Sequence, residues 1–166
     1  MNGEGIDFFF FLDENNCRID ESTDTYELLV PEIFIEVDFI INKPCKIISK
    51  CNTVIKSEHF EIKSHSVSFD GISFETSIRV FNCDNFQMTN CTIKNAKLMD
   101  GAIYMYESRG CYIANTTISE TVKIPGIFLT EGSSAVIENV TLRDITETMI
   151  VCNSRSYMYL RNSELI

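Results

Sequence analysis

FQMTNCTI (86–93) is one of four segments written on a single frame: apolar, variable, apolar, variable, asparagine, small or apolar, variable, apolar. The others are CYIANTTI (111–118), AVIENVTL (135–142) and MYLRNSEL (158–165), and their asparagines, Asn90, Asn115, Asn139 and Asn162, follow at steps of 25, 24 and 23 residues. One unit earlier, VSFDGISF (67–74) carries Gly71 in the asparagine position. Alternation of apolar and polar residues reads as β-strand. Asparagine and glycine are the residues that tolerate a left-handed backbone. Each unit therefore contains two short strands joined by a one-residue left-handed bend.

Another strand repeats in step. SIRVFN (77–82), AIYMYE (102–107), GIFLTE (126–131) and MIVCNS (149–154) align so that Ile78, Ile103, Ile127 and Ile150 are again 25, 24 and 23 residues apart. Three short strands per unit at a period near 24 describe a solenoid, in which each unit buries its apolar face only by stacking on the next. The predicted fold is all-β: a right-handed, single-stranded parallel β-helix of about five to six coils with an N-terminal cap, its coils about 4.8 Å apart. Asn90, Asn115 and Asn139 also begin Asn-x-Thr, the acceptor pattern for N-linked sugar. The repeat predicts instead that Gly71, Asn90, Asn115, Asn139 and Asn162 line one corner as a hydrogen-bonded ladder. Side-chain amides engaged with neighbouring coils would not carry glycans.

The length of 166 residues suits one domain, and 45% hydrophobic residues indicate a globular chain. The net charge of −10 is concentrated: residues 1–40 hold 11 acids and one base, Arg18, so the remainder, with 13 of each, is neutral. No basic footprint for nucleic acid is present. The seven cysteines include no Cys-x-x-Cys pair and there are only two histidines, which excludes the usual zinc spacings. An odd cysteine count and an N-terminus without a basic signal region point to the cytoplasm. No apolar run reaches membrane-span length.

LLVPEIFIEVDFIINKPCKIIS (28–49) supplies a resemblance. With Pro31, Phe34 and Glu36 ahead of Lys43, Pro44, Ile47 and Ile48, it is similar to the entry coil of the pectin-lyase-like, right-handed β-helix superfamily. Glu32 stands where that family usually has glycine. The resemblance covers about residues 28–166 and leaves 1–27 as an acidic cap segment, with IDFFFFLD (6–13) expected as an apolar strand over the N-terminal end. The C-terminal coil carries no visible cap, so either the helix continues beyond it or that coil self-associates. The architecture it implies serves pectinolytic enzymes, phage tailspikes, and intracellular PbH1-type modules of F-box adaptors and centralspindlin-associated proteins.

On the strand 77–82 and its repeats, alternation turns Arg79, Tyr104 and Phe128 outward in one column and Phe81, Tyr106 and Thr130 in another. Clustered aromatics on a solvent face suggest a contact surface for protein or sugar. The alternative is that a loop or the N-terminal segment covers them. Glu107 and Glu131, in the turn after that strand, should stack in adjacent coils and repel unless a cation lies between them. By resemblance to family lyases, these two carboxylates with Arg109, and with Asp84 and Arg79 nearby, form a weak candidate for a calcium-assisted site. Otherwise no catalytic residue, metal or cofactor is indicated. His59 and His65 read as surface residues. Two principal functions follow: a non-catalytic module that binds a protein partner, or a carbohydrate-active β-helix that uses calcium.

Overall fold

A computed structural model describes residues 6–34, 36–98 and 100–166. The chain winds through six three-strand coils and enters a seventh, forming a parallel β-helix whose strands pair almost entirely with the strand one coil away. Within a coil the chain visits three faces in order. The first face stacks Thr25–Leu28, Cys45–Ser49, Val67–Asp70, Gln87–Thr89, Cys111–Ala114, Ser134–Glu138 and Tyr157–Arg161. The second stacks Glu32–Phe34, the first halves of the long strands Val54–Ile62 and Ser73–Phe81, then Thr92–Lys94, Thr117–Thr121, Thr141–Ile145 and Glu164–Leu165. The third stacks Phe39–Ile41, the second halves of the two long strands, Ile103–Tyr106, Ile127–Thr130 and Ile150–Cys152. The first coil begins at Thr25. Among the described residues no helix is long and apolar enough to cross a membrane.

Alternation fills the axis. In the early coils aliphatic residues such as Leu28, Ile41, Ile47, Ile55 and Ile62 share the interior with aromatic ones, and Phe8, Phe39, Phe60, Phe69, Phe74 and Phe86 form a run of fully buried rings. Successive contacts from Phe8 to Phe39, Phe39 to Phe60, Phe60 to Phe69 and Phe69 to Phe86 lie 5.1–5.9 Å apart, mostly edge to face. Later coils continue the axis with Ile103, Met105, Ile113, Ile127, Leu129 and Ile137.

The corner residues have the expected backbone. Gly71, Asn90, Asn115, Asn139 and Asn162 all have positive φ, between 45° and 70°. Gly71 has a further reason to lack a side chain, because a Cβ there would sit 2.5 Å from the Ser49 carbonyl oxygen. The ladder, however, is a backbone ladder. The N–H of each corner residue from Gly71 to Asn139 donates to a carbonyl of the next coil at 3.0–3.1 Å. The side-chain amides bond only in part: Asn139 Nδ2 to Asn115 Oδ1 at 3.1 Å, and Asn90 Nδ2 to Asp70 Oδ1 at 2.7 Å. All four asparagines are exposed. This corrects the expected continuous amide ladder to a broken one: the left-handed backbone is what all the corner positions share, while the amide nitrogen is engaged at the sequons of Asn90 and Asn139 and, among the described residues, not at that of Asn115.

A buried side-chain ladder runs along another corner. Ser108 Oγ accepts from Cys83 N–H, Ser133 Oγ from Ser108 N–H, and Ser156 Oγ from Ser133 N–H, each at 3.1 Å. These hydroxyls satisfy backbone groups that the turn leaves without partners inside the wall.

The cap also differs from expectation. Phe8–Phe11 is a 3-10 turn instead of a strand, because the Asp7 carboxylate accepts from Phe9 N–H at 3.0 Å and tightens the chain. Ile6–Asp7 pairs with Phe39–Ile40, and Cys17–Asp20 folds antiparallel onto Thr25–Leu28. The turn drives Phe8 into the axis, while Lys43 Nζ sits 3.9 Å from the centre of the Phe9 ring and donates to Tyr26 Oη at 2.6 Å. Residues 1–5 of the cap segment lie outside the described residues.

Candidate functional site

The third face carries the expected outward columns. Register pairs Arg79 with Tyr104 and Tyr104 with Phe128; beside them Phe81 pairs with Tyr106 and Tyr106 with Thr130. The rings touch edge to face: Phe81 to Tyr104 at 5.8 Å and Tyr104 to Phe128 at 5.5 Å, with Phe81 to Tyr106 tilted at 6.2 Å. Arg79 lies over Phe81, its guanidinium carbon 4.7 Å from the ring centre. These residues are half-buried and form a continuous ridge, and the described part of the N-terminal cap packs elsewhere, on the first coil. Burial, and then the charge of Asp100, raise the Tyr104 hydroxyl above its ordinary pKa. Thr130 is a correction to the expected binding set: it is outward in register but only 8% exposed, a short side chain beside the larger Tyr106 in its column.

At the N-terminal end of the ridge lies a charged cluster that sequence reasoning missed. Glu61 faces Arg79 across the sheet, and its Oε1 is 3.3 Å from the Arg79 guanidinium. Its other oxygen meets Lys63 Nζ at 2.6 Å. His59 stands between two carboxylates, with Nε2 3.2 Å from Glu61 and Nδ1 2.8 Å from Asp38. The latter pair is close but poorly aligned, since Asp38 Oδ1 makes no hydrogen bond. Asp100 closes the group, 3.3 Å from Arg79. Burial alone would raise the Glu61 carboxyl, but the hydrogen bond and charge of Lys63, with His59, outweigh it and hold Glu61 below the usual carboxylate range. A cleft of about 580 Å³ opens here between Glu61, Lys63, Phe81, Asn82, Tyr104 and Tyr106.

His59 is thus no simple surface residue: its side chain is 13% exposed. The spacing hid this cluster. Between His59 and Ser77, as between Glu61 and Arg79, the step is only 18 residues, because the strands there turn the corner without a loop. A search at a period of 23–25 passes over it.

The weak catalytic candidate is partly assembled. Glu107 and Glu131 stack at one corner, both with positive φ, and share a shallow cleft of about 510 Å³ with Arg109 and Arg155. Among the described residues neither glutamate makes an ion pair with Arg109. Asp84 turns away to accept from the Arg109 backbone N–H at 3.2 Å, and Arg79 is held on the sheet by Glu61 and Asp100. The arrangement does not bring Arg79 and Asp84 into the corner cleft. Among the described residues, no three His, Cys, Asp or Glu side chains converge as metal ligands. His65 is largely exposed, with Nδ1 accepting from Asp84 N–H at 2.9 Å.

All seven cysteines are free. Burial pushes the thiols of Cys17 and Cys83 up to about 11, and those of Cys45, Cys91 and Cys111 to about 12. The exposed Cys51 thiol is lowered instead, chiefly by hydrogen bonding with Thr53 and Ser49.

Comparison with known proteins gives one match: the family described as right handed beta helix region, over residues 39–166. No curated protein and no solved structure matches the chain.

Proposed function

The chain belongs to the right-handed β-helix family, and from that premise we propose that it is a non-catalytic scaffold whose third face presents an aromatic ridge to a protein partner inside the cell. On such a scaffold function resides in the outward residues, which the repeat does not constrain. The observation that carries the reading is the half-exposed, mutually braced run Phe81–Tyr104–Phe128, with Tyr106 and Arg79 beside it. Large aromatics and arginine are the side chains that most often anchor protein interfaces, and bracing lowers the entropy lost on binding. Edge-to-face neighbours also break the ridge into tilted rings instead of the flat platform that a sugar ring stacks upon. Seven unpaired thiols favour a reducing compartment.

The test is site-specific photocrosslinking from position 106 in source cells. A discrete adduct should form, vanish in Tyr104→Ala/Phe128→Ala, and survive Lys94→Ala on another face, with all variants retaining wild-type circular dichroism. Absence of a ridge-dependent adduct sinks the proposal. So does a melting temperature raised by millimolar calcium in wild type but not in Glu107→Gln/Glu131→Gln, which would move the assignment to a calcium-assisted, carbohydrate-active site. Self-association has its own supporting observation, since Leu160, Leu165 and Ile166 are each at least 41% exposed. A sedimentation coefficient that rises with concentration would establish it.

A further inference from the structure

The first face carries a second set of aromatics, built differently from the ridge. Tyr112, Val136 and Tyr159 occupy one outward column in three successive coils. The two tyrosines therefore stand two coils apart, about 9.6 Å, with the smaller valine as floor between them. Tyr157 borders the same groove, whose volume is about 340 Å³. Tyr157 and Tyr159 are 70% and 58% exposed. Where the third face has a ridge, this face has a slot.

Both walls are fixed from below. Tyr112 Oη donates to Glu138 Oε2 at 3.0 Å. Arg161 lies over the Tyr159 ring at 4.7 Å and reaches the same glutamate at 4.0 Å. One carboxylate thus orients both tyrosines, one directly and one through arginine. A slot held open before its ligand arrives loses little ordering entropy on binding.

The geometry points to a proline-rich, extended segment of a partner as the occupant, lying along the solenoid axis. Polyproline II advances about 3.1 Å per residue and repeats every three residues, so one turn spans about 9.3 Å. That matches the two-coil interval of about 9.6 Å between the tyrosines, and a short segment would stay in register across it. Two van der Waals contacts of about 3.5–4.0 Å leave room between such walls for one saturated five-membered ring. Polyproline II makes no internal hydrogen bonds, so its carbonyls are free acceptors. Tyr157 and Tyr159 line the groove, and among the described residues their hydroxyls make no hydrogen bond, which leaves them available as donors. An aromatic-lined groove facing exposed carbonyls is the general chemistry by which proline-rich segments are bound.

The experiment is calorimetric titration with oligoproline of about a dozen residues, against a Gly-Ser peptide of equal length and a cello-oligosaccharide. Tyrosine emission provides a second readout, because the chain has six tyrosines and no tryptophan. Oligoproline should bind saturably and the Gly-Ser peptide should not. Affinity should fall at least tenfold both in Val136→Phe, which fills the slot, and in Tyr159→Ser, which removes a wall. Tyr104→Ala, on the third face, should bind as wild type. Both slot positions point outward, so circular dichroism should be unchanged. The proposal is overturned by no saturation at millimolar oligoproline, by equal response to the Gly-Ser peptide, by binding indifferent to both slot variants, or by slot-dependent binding of the oligosaccharide.

Discussion

Phe8→Ala tests how the early coils are held. Phe8 is fully buried, lies 5.1 Å from both Phe39 and Phe60, and closes the N-terminal end of the aromatic axis. Truncating a buried phenylalanine costs about 3–5 kcal/mol, which combines lost transfer energy with the cavity left behind. In a two-state chain of this size each kcal/mol lowers the melting temperature by about 2–4 °C, giving a drop of roughly 6–20 °C. A solenoid need not lose stability evenly, since each coil contacts only its neighbours. The loss should therefore fall first on the cap and first coil. Hydrogen exchange read by mass spectrometry should show Thr25–Leu28 and Phe39–Ile41 losing protection, while Cys111–Ala114 and Ser134–Glu138 keep theirs. A cost below about 1 kcal/mol, well under the cavity range, or equal loss of protection in all coils, would refute the idea that Phe8 seals one end of a nearest-neighbour stack.

Two further outcomes follow from the ionisable groups. The Glu61 carboxyl is depressed in the folded chain, so its stabilisation is complete above the unfolded carboxyl pKa of about 4.3 and is lost as pH falls through the folded value. Wild type should exceed Glu61→Gln in urea midpoint at pH 7 and lose that advantage in acid; a gap constant down to pH 3 would contradict the assignment. Native-state alkylation should label Cys51 and Cys152, both exposed, with Cys51 favoured by its lowered pKa, while the five buried cysteines react only after denaturation. Labelling of Cys91 or Cys111 in the folded protein would contradict the packing.

Much of the wall was legible because register repeats. The isoleucines at 78, 103, 127 and 150 align as their spacing requires, and they carry Arg79, Tyr104 and Phe128 with them. What escaped had no constant period. The Glu61 cluster lies where the coil shortens, and Asp38 and Asp100 reach it from connecting segments whose paths alternation does not describe. The 3-10 cap escaped because four consecutive phenylalanines carry no periodicity, and the Asp7 side chain decides their conformation. The slot tyrosines did leave a signal: CYIA, AVIE and MYLR share the frame that located the asparagines, and their outward positions hold Tyr112, Val136 and Tyr159.

The three corners differ in how freely chain length changes. From the third coil on, the first and second faces are joined by two residues every time: 71–72, 90–91, 115–116, 139–140 and 162–163. Between the second and third faces the chain passes with no break in Val54–Ile62 and Ser73–Phe81, yet spends 95–102 in the next coil and 122–126 in the one after. The corner from the third face to the next coil stays between three and five residues, so the widest range of length, from none to eight, is gathered on one seam, and that seam borders the aromatic ridge. Asp100, supplied to Arg79 by the longest of these segments, shows the result. A lineage built on this wall can rewrite the border of its contact surface by lengthening one loop, without disturbing the pairing of any strand.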